Sequence, residues 1–301
     1  MGMTIRGMMR DVLIALVPPV AAAVYFFHWY AVRQLLICVA ACLAAEALFV
    51  RMRGRRLSLG DLSAAVTGVI LALSLPATAP WYVGCIAAVV AMGVGKTVFG
   101  GLGMNIFNPA MVGRAFVMIA FAGSLAASGY VGSGLGVDIL SQATPLTAHK
   151  QLGATTPLAG LFWGAVNGSI GETSALACLL GGLFLCLRRV ASWEIPAGVL
   201  TGVLVIGGAV NLAHLSQGWT VAHEFSSGAL LLGAFFIATD PVTSPLTARG
   251  KWIFGLGIGA LVMLLRLFSG YPEGVMFAVL LMNALTPLIN RWTIPRPFGG
   301  I

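Results

Sequence analysis

The stretch VLIALVPPVAAAVYFFHWYAVRQLLICVAACLAAEALFV, residues 12–50, decides the fold. Across it only Arg33 and Glu46 carry a formal charge, and the remainder is overwhelmingly apolar. A helix rises about 1.5 Å per residue and the hydrocarbon core of a bilayer is about 30 Å thick, so on the order of 20 such residues cross it once. The stretch therefore reads as two crossings, at approximately 12–29 and 33–50. Arg6 and Arg10 precede it, but Pro18 and Pro19 interrupt the first run and no small-residue cleavage pattern follows. That makes it a retained first span and not a removed leader.

Outward from this pair the same character continues. The 301 residues are 59% hydrophobic and 9% charged, with a mean hydropathy of +0.97, against about 25% charged residues in ordinary soluble domains. Further apolar runs fit spans at 61–77, 81–98, 109–128, 171–187, 194–213, 224–239, 252–268 and 273–290. The expected architecture is an all-α polytopic membrane protein of about ten helices, one integral membrane domain over residues 1–301. A loop at about 129–156 is the longest segment that is not membrane helix. Lysine and arginine in short loops favour the cytoplasm. With the amino terminus inside, thirteen of the seventeen cations fall on the cytoplasmic side. Arg114 lies one turn into a span from that side, and Arg33, Lys150 and Arg266 lie outside. Both termini are then cytoplasmic and the 129–156 loop extracytoplasmic.

The net charge of +8 does not indicate nucleic acid, because these cations sit in short clusters between apolar runs and form no basic face. They are topology signals. The five cysteines all lie in apolar segments; Cys38 and Cys42, four apart, share a helix face but suit buried small residues better than a ligand pair. His28, His149, His214 and His223 fall on the outer side, where histidine is at home at an interface. The sequence marks no catalytic side chain and no metal-ligand set.

Three interruptions of regular helix stand out. FGGLGMNIFNPAMVGR, residues 99–114, couples a glycine-rich turn to Asn105, Asn108 and Pro109; ATDPVTSPLTARGK, residues 238–251, brings Asp240, Thr243 and two prolines. Irregular backbone survives at membrane depth only where protein or a polar cavity satisfies it. Each segment suits either a plain cytoplasmic loop or a place where helix ends meet a ligand. They resemble each other loosely, as NPAMVGR and SPLTARG, and a TGV tripeptide precedes each, at Thr67 and Thr201. That suggests an internal duplication, parallel under this topology. The third interruption, NGSIGETS at 167–174, splits a run too long for one helix. It leaves a short outer segment and puts Glu172 near the outer end of a span, as an interfacial acid or as an ion or proton ligand. Glu46, Asp61 and Glu273 are placed where they reach an interface.

In the long loop, DILSQATPLTAHK, residues 138–150, is the most polar stretch. Asp138, Ser141, Ala143 and Thr144 form D-x-x-S-x-A-T, with Pro145 turning the following backbone away from helix. On the residues alone this is an accessible loop in which Asp and Ser cap a turn, presenting a hydroxyl that needs an external catalyst to become an ester. A second G-A-T at 153–155 lacks the aspartate and serine and is the weaker candidate.

The pattern resembles the site at which a dedicated flavin transferase esterifies FMN to threonine in membrane subunits of ion-pumping oxidoreductases. Together with the 96–116 stretch and TDPVTSPLT it makes the chain similar to the D subunits of Rnf (Rsx) complexes, the RnfD/NqrB family. Gln142 departs from the family's usual glycine. The resemblance implies a subunit that couples electron transfer between ferredoxin and NAD to Na+ or H+ movement in the bacterial cytoplasmic membrane. It implies FMN on Thr144, with Asp138, Ser141 and Ala143 as the attachment motif. It also implies a non-covalent riboflavin, for which Asn105, Asn108, Asp240 and Thr243 are candidate surroundings, and partners that include a flavin-bearing neighbour and the other Rnf subunits. NAD and ferredoxin bind elsewhere, since no nucleotide-binding fold or iron-sulfur cysteine cluster is visible. A secondary transporter or channel without redox chemistry is the alternative.

Overall fold

The run at 12–50 folds as α1 (Ile5–Ala15) and α2 (Val17–Met52), and α2 breaks at His28, whose φ of 48° and ψ of −129° lie outside the helical region. The arm before His28 packs on α9 (Ala175–Leu187), with Gly181 directly against the Ala15 carbonyl. The arm after it packs on α3 (Ser63–Ser74) and α4 (Trp81–Val90), with Gly68 against Val39 and Gly84 against Gln34 and Cys38. Met9 lines the same cavity as Lys96, and Lys96 pairs with Glu46. The two arms therefore reach the same depth, and the chain doubles back between them. This computed structural model describes residues 4–54, 59–126, 129–130, 140–141, 144–164, 166–213, 218–271 and 273–295.

The chain is an all-α polytopic membrane protein. Helices long and apolar enough to cross a bilayer are the Ile5–Met52 stretch, α10 (Glu194–Leu212), α13 (Ala248–Phe268) and α14 (Val275–Thr293). Others stop short. α3 and α5 (Pro109–Ala120) have 12 residues each, about 18 Å of rise against about 30 Å of hydrocarbon, and the short α6 (Ala122–Ala126) follows α5. The expected single span at 224–239 is instead α11 (Val221–Ser226), a break, and α12 (Leu230–Leu232) running into a π-helical turn at Gly233–Ile237. The break is built on Gly228 at φ +66° and held by Arg266, which donates to the Glu224 and Ser227 carbonyls at 2.8 and 2.9 Å.

The two similar segments are also alike in setting. Each follows a π-helical turn, at Ala91–Thr97 and Gly233–Ile237, and each leads into a helix with a side-chain N-cap, Asn108 for α5 and Thr247 for α13. Both lie on the face that carries the amino terminus. The opposite face carries short helices α7 (Pro145–Leu152) and α8 (Leu158–Trp163) and a two-residue antiparallel pair, β1 (Gly129–Tyr130) with β2 (Leu140–Ser141).

Two placements correct the sequence reading. Glu46 reaches no interface: it is 2% exposed and pairs with Lys96, which also donates to Ser63 Oγ at 2.7 Å. Arg114 does not look back towards the amino-terminal face. Because the 99–108 segment dips inward to a buried Asn108, α5 starts deep, and Arg114 meets acids of the opposite face.

Small residues let α10 and α13 touch backbone to backbone, Gly198 and Gly202 on one helix against Gly255 and Gly259 on the other, as membrane helices do in the absence of a hydrophobic drive between them. Gly259→Val should cost at least about 1–3 kcal/mol, the usual penalty of overpacking, seen as a lower thermal midpoint of the purified chain. Gly208→Val, in open space, should leave the midpoint in place. Lys96→Met should cost about 3–5 kcal/mol by stranding Glu46 as a buried charge, and Lys96→Met with Glu46→Leu should recover most of that loss, read from the same midpoints.

Candidate functional site

Thr144 is half-buried and forms the N-cap of α7. Its Oγ1 accepts from the Thr147 N–H at 3.2 Å and lies 2.8 Å from Thr147 Oγ1, with Pro145 at the first helical position. Pro145 does not turn the following backbone away from helix, as the sequence suggested, but opens α7: a threonine before a proline is held extended and a proline at N1 is preorganised for helix, so the local sequence sets this hydroxyl at a helix start. α7 is tied down at its other end. The Lys150 ammonium donates to the Arg266 carbonyl at 2.9 Å and also to that of Ser269, and burial there pulls Lys150 below the usual lysine range. His149 stacks on Trp219, ring centroids 4.4 Å apart, and burial lowers it from the ordinary histidine value.

Thr144 stands at the edge of a cavity of about 620 Å³, within the range of ligand sites, about 300–1,000 Å³. Its walls are apolar at Leu75, Met118, Leu125, Leu161 and Met276, and charged at Arg114, Glu172 and Glu273. Arg114 Nη2 lies 3.5 Å from Glu172 Oε1 and 3.1 Å from Glu273 Oε2. The floor is irregular backbone. Where α3 ends, the Leu73 and Leu75 carbonyls accept from the Gly171 and Ile170 N–H groups at 2.7 and 3.0 Å, and Pro76 bridges Ser169. Gly171 has no room for a side chain, since a Cβ would sit 2.7 Å from Leu73 Cβ.

Of the attachment motif, Ser141 lies in β2 with its backbone opposite Gly129, while Asp138 and Ala143 lie outside the described residues. Thr155 is exposed and is not a wall residue of the cavity.

The four residues expected around a riboflavin are gathered on the amino-terminal face. Asn105, Asn108 and Asp240 line one cavity, and Thr243 Oγ1 donates to Asp240 at 3.3 Å. They spend their polar groups on one another and on backbone. Asn108 Oδ1 caps α5 through the Ala110 and Met111 N–H groups, and its Nδ2 donates to the Ile237 carbonyl at 3.3 Å. Asn283 accepts from the Asn108 N–H at 3.1 Å and donates to the Thr243 carbonyl at 3.3 Å. The space left is about 80 Å³, below the size of a flavin site. As it stands this cavity does not admit a riboflavin.

Sequence reasoning missed Asn283 and the roles of Arg114, Lys96 and Glu46. A signal was present for the last pair: an acid and a lysine inside apolar runs need partners, and neither had one on its own helix. Among the described residues, no group of three histidine, cysteine or acidic side chains is placed to hold a metal ion.

Residues 1–299 match the model of a family described as NQR2, RnfD, RnfE. The D subunit of the Na(+)-translocating ferredoxin:NAD(+) oxidoreductase complex of Acetobacterium woodii is 40% identical over 297 residues, covering 97% of this chain and 90% of the relative. The D subunit of an ion-translocating oxidoreductase complex of Halorhodospira halophila is also 40% identical, covering 99% and 92%. The corresponding D subunit of Clostridium ljungdahlii, from a complex named as proton-translocating, is 38% identical, covering 98% and 92%. With a family match over nearly the whole sequence and relatives at this identity, the chain belongs to the NQR2, RnfD, RnfE family.

Proposed function

We propose that this chain is the membrane flavoprotein subunit of an ion-translocating oxidoreductase, one that couples ferredoxin and NAD electron transfer to Na+ or H+ movement and carries FMN esterified to Thr144. The observation that carries the reading is the seat of Thr144: its hydroxyl caps a helix at the edge of a cavity of flavin-site size that contains a guanidinium. A phosphate on that oxygen lies at a helix N-terminus, where free N–H groups and the peptide dipoles favour negative charge. The apolar walls suit a planar ring system. Arg114, ion-paired with Glu172 and Glu273, adds a guanidinium to the wall as a hydrogen-bond donor.

Bound FMN supplies the one- and two-electron chemistry; the protein sets position, electrostatics and solvent access. Electrons come from another subunit, a flavin-bearing neighbour, and a flavin transferase makes the ester. The lysine and arginine distribution supports an orientation with both termini cytoplasmic and Thr144 on the outer side of the bacterial cytoplasmic membrane. The named relatives divide between Na+ and protons, so the ion is left as either.

A transporter without redox chemistry is the second reading, favoured by the broken helices and their buried polar caps. Covalent flavin separates the two. After full denaturation, in-gel flavin fluorescence should appear in wild type and in Thr155→Ala and vanish in Thr144→Ala, all co-expressed with the transferase. Absence from wild type beside a flavinylated control would move the assignment to the transporter.

A further inference from the structure

The cavity beside Thr144 gathers more acid than its cations neutralise. Glu172 arrives from the segment before α9, Glu273 from the turn before α14 and Arg114 from α5; the two acid side chains are 7% and 17% exposed. Arg266, behind Glu273, is paired with Glu224 at 2.5 Å, which makes two guanidiniums against three carboxylates. The Lys150 ammonium is taken up by backbone carbonyls. The remaining titratable neighbour of Glu172 is Cys178 on α9, whose thiol donates to the Gly171 carbonyl at 3.5 Å.

The donors are unequally shared. Glu273 accepts from Arg114 at 3.1 Å and from the Ala229 N–H. Glu172 Oε2 accepts the Ser169 N–H at 3.4 Å, and its Oε1 is buried without a hydrogen-bond donor. Two buried carboxylates around one guanidinium do not both stay ionised at low cost, and the acid with fewer donors takes the proton.

We propose that Glu172 carries a proton that it shares with Glu273, and that it exchanges this proton with the cavity when negative charge enters there. The exchange rests on the flavin reading above. Glu172 would be the residue placed to release its O–H proton, and FMN, if bound in the cavity and reduced by electrons from another subunit, would supply the base that takes the proton up. Glu172 is left as a carboxylate facing Arg114 and is reprotonated from the solution on the Thr144 side. Glu172 is in this account the proton donor, and Glu273 a positioning residue that keeps it neutral.

The test is infrared difference spectroscopy on the assembled complex in native membranes, with exchange into heavy water. Wild type should show a protonated-carboxyl band that shifts on exchange, is lost in Glu172→Gln and returns in Glu172→Asp. It should also be lost in Glu273→Gln, where Glu172 alone beside Arg114 ionises. A band unchanged by Glu172→Gln overturns the assignment. Should that variant fail to assemble, a band persisting in Glu273→Gln overturns it equally. For the exchange, the pH dependence of the flavin midpoint potential, read by absorbance, should weaken in Glu172→Gln; an unaltered dependence overturns that part. The band should survive in Thr144→Ala, so a failure of the flavin reading leaves the proton assignment standing and is told apart from it.

Discussion

Backbone that leaves the helix inside a bilayer must find its hydrogen bonds within the protein, and this molecule is arranged around meeting that demand twice. On the Thr144 face, the carbonyls freed where α3 ends are met by the Ile170 and Gly171 N–H groups. On the amino-terminal face, Asn108 caps α5 while reaching the last turn before Ala238, and Asn283 braces both Asn108 and Thr243. Without these partners the short helices would expose unpaired amides to hydrocarbon, at several kcal/mol each.

Meeting the demand creates the cavities. Because α3 and α5 are too short to cross, their ends leave room that a continuous helix would fill, and the polar groups needed to satisfy them become wall residues. Arg114 shows the consequence. Six residues beyond the Asn108 cap, it would lie in hydrocarbon on a full-length helix; on one that starts deep, it stands between Glu172 and Glu273. The amino-terminal cavity closes on its own polar groups, whereas the one beside Thr144 keeps about 620 Å³. α7, anchored through Lys150 and His149, holds the threonine at its edge.

Composition and hydropathy made the class legible, and the order of apolar runs matched the helices because each run must bury its own backbone bonds. The hairpin was readable as two runs, 12–29 and 33–50, too long for one crossing, but the reversal itself falls at His28, inside the first run and not between the two. The inward dip of 99–108 was not, since hydropathy measures how apolar a segment is and not how deep its loop sits; that single depth misplaced Arg114. Glu46 was assigned to an interface by its distance from Arg51 along the helix, while its partner Lys96 lies on a helix that the sequence alone could not set beside it. The short break at Ser227–Ala229 was missed because the apolar run from Leu230 onward was extended back over the more polar HEFSSG segment as one span. Thr144 was singled out by a local pattern; the cavity at whose edge it stands is assembled from α3, α5, α7, the 166–172 segment and the turn before α14, whose proximity no local pattern encodes.

If FMN is esterified to Thr144 as proposed, its ring belongs in the cavity beside that residue. A cryo-electron microscopy map of the assembled complex should then show density continuous with Thr144 Oγ1 and a planar ring within hydrogen-bonding reach of Arg114, between Leu75 and Met276. An unmodified Thr144 in a flavin-loaded complex, or a ring turned away from Arg114 with lipid in the cavity, would rule this out.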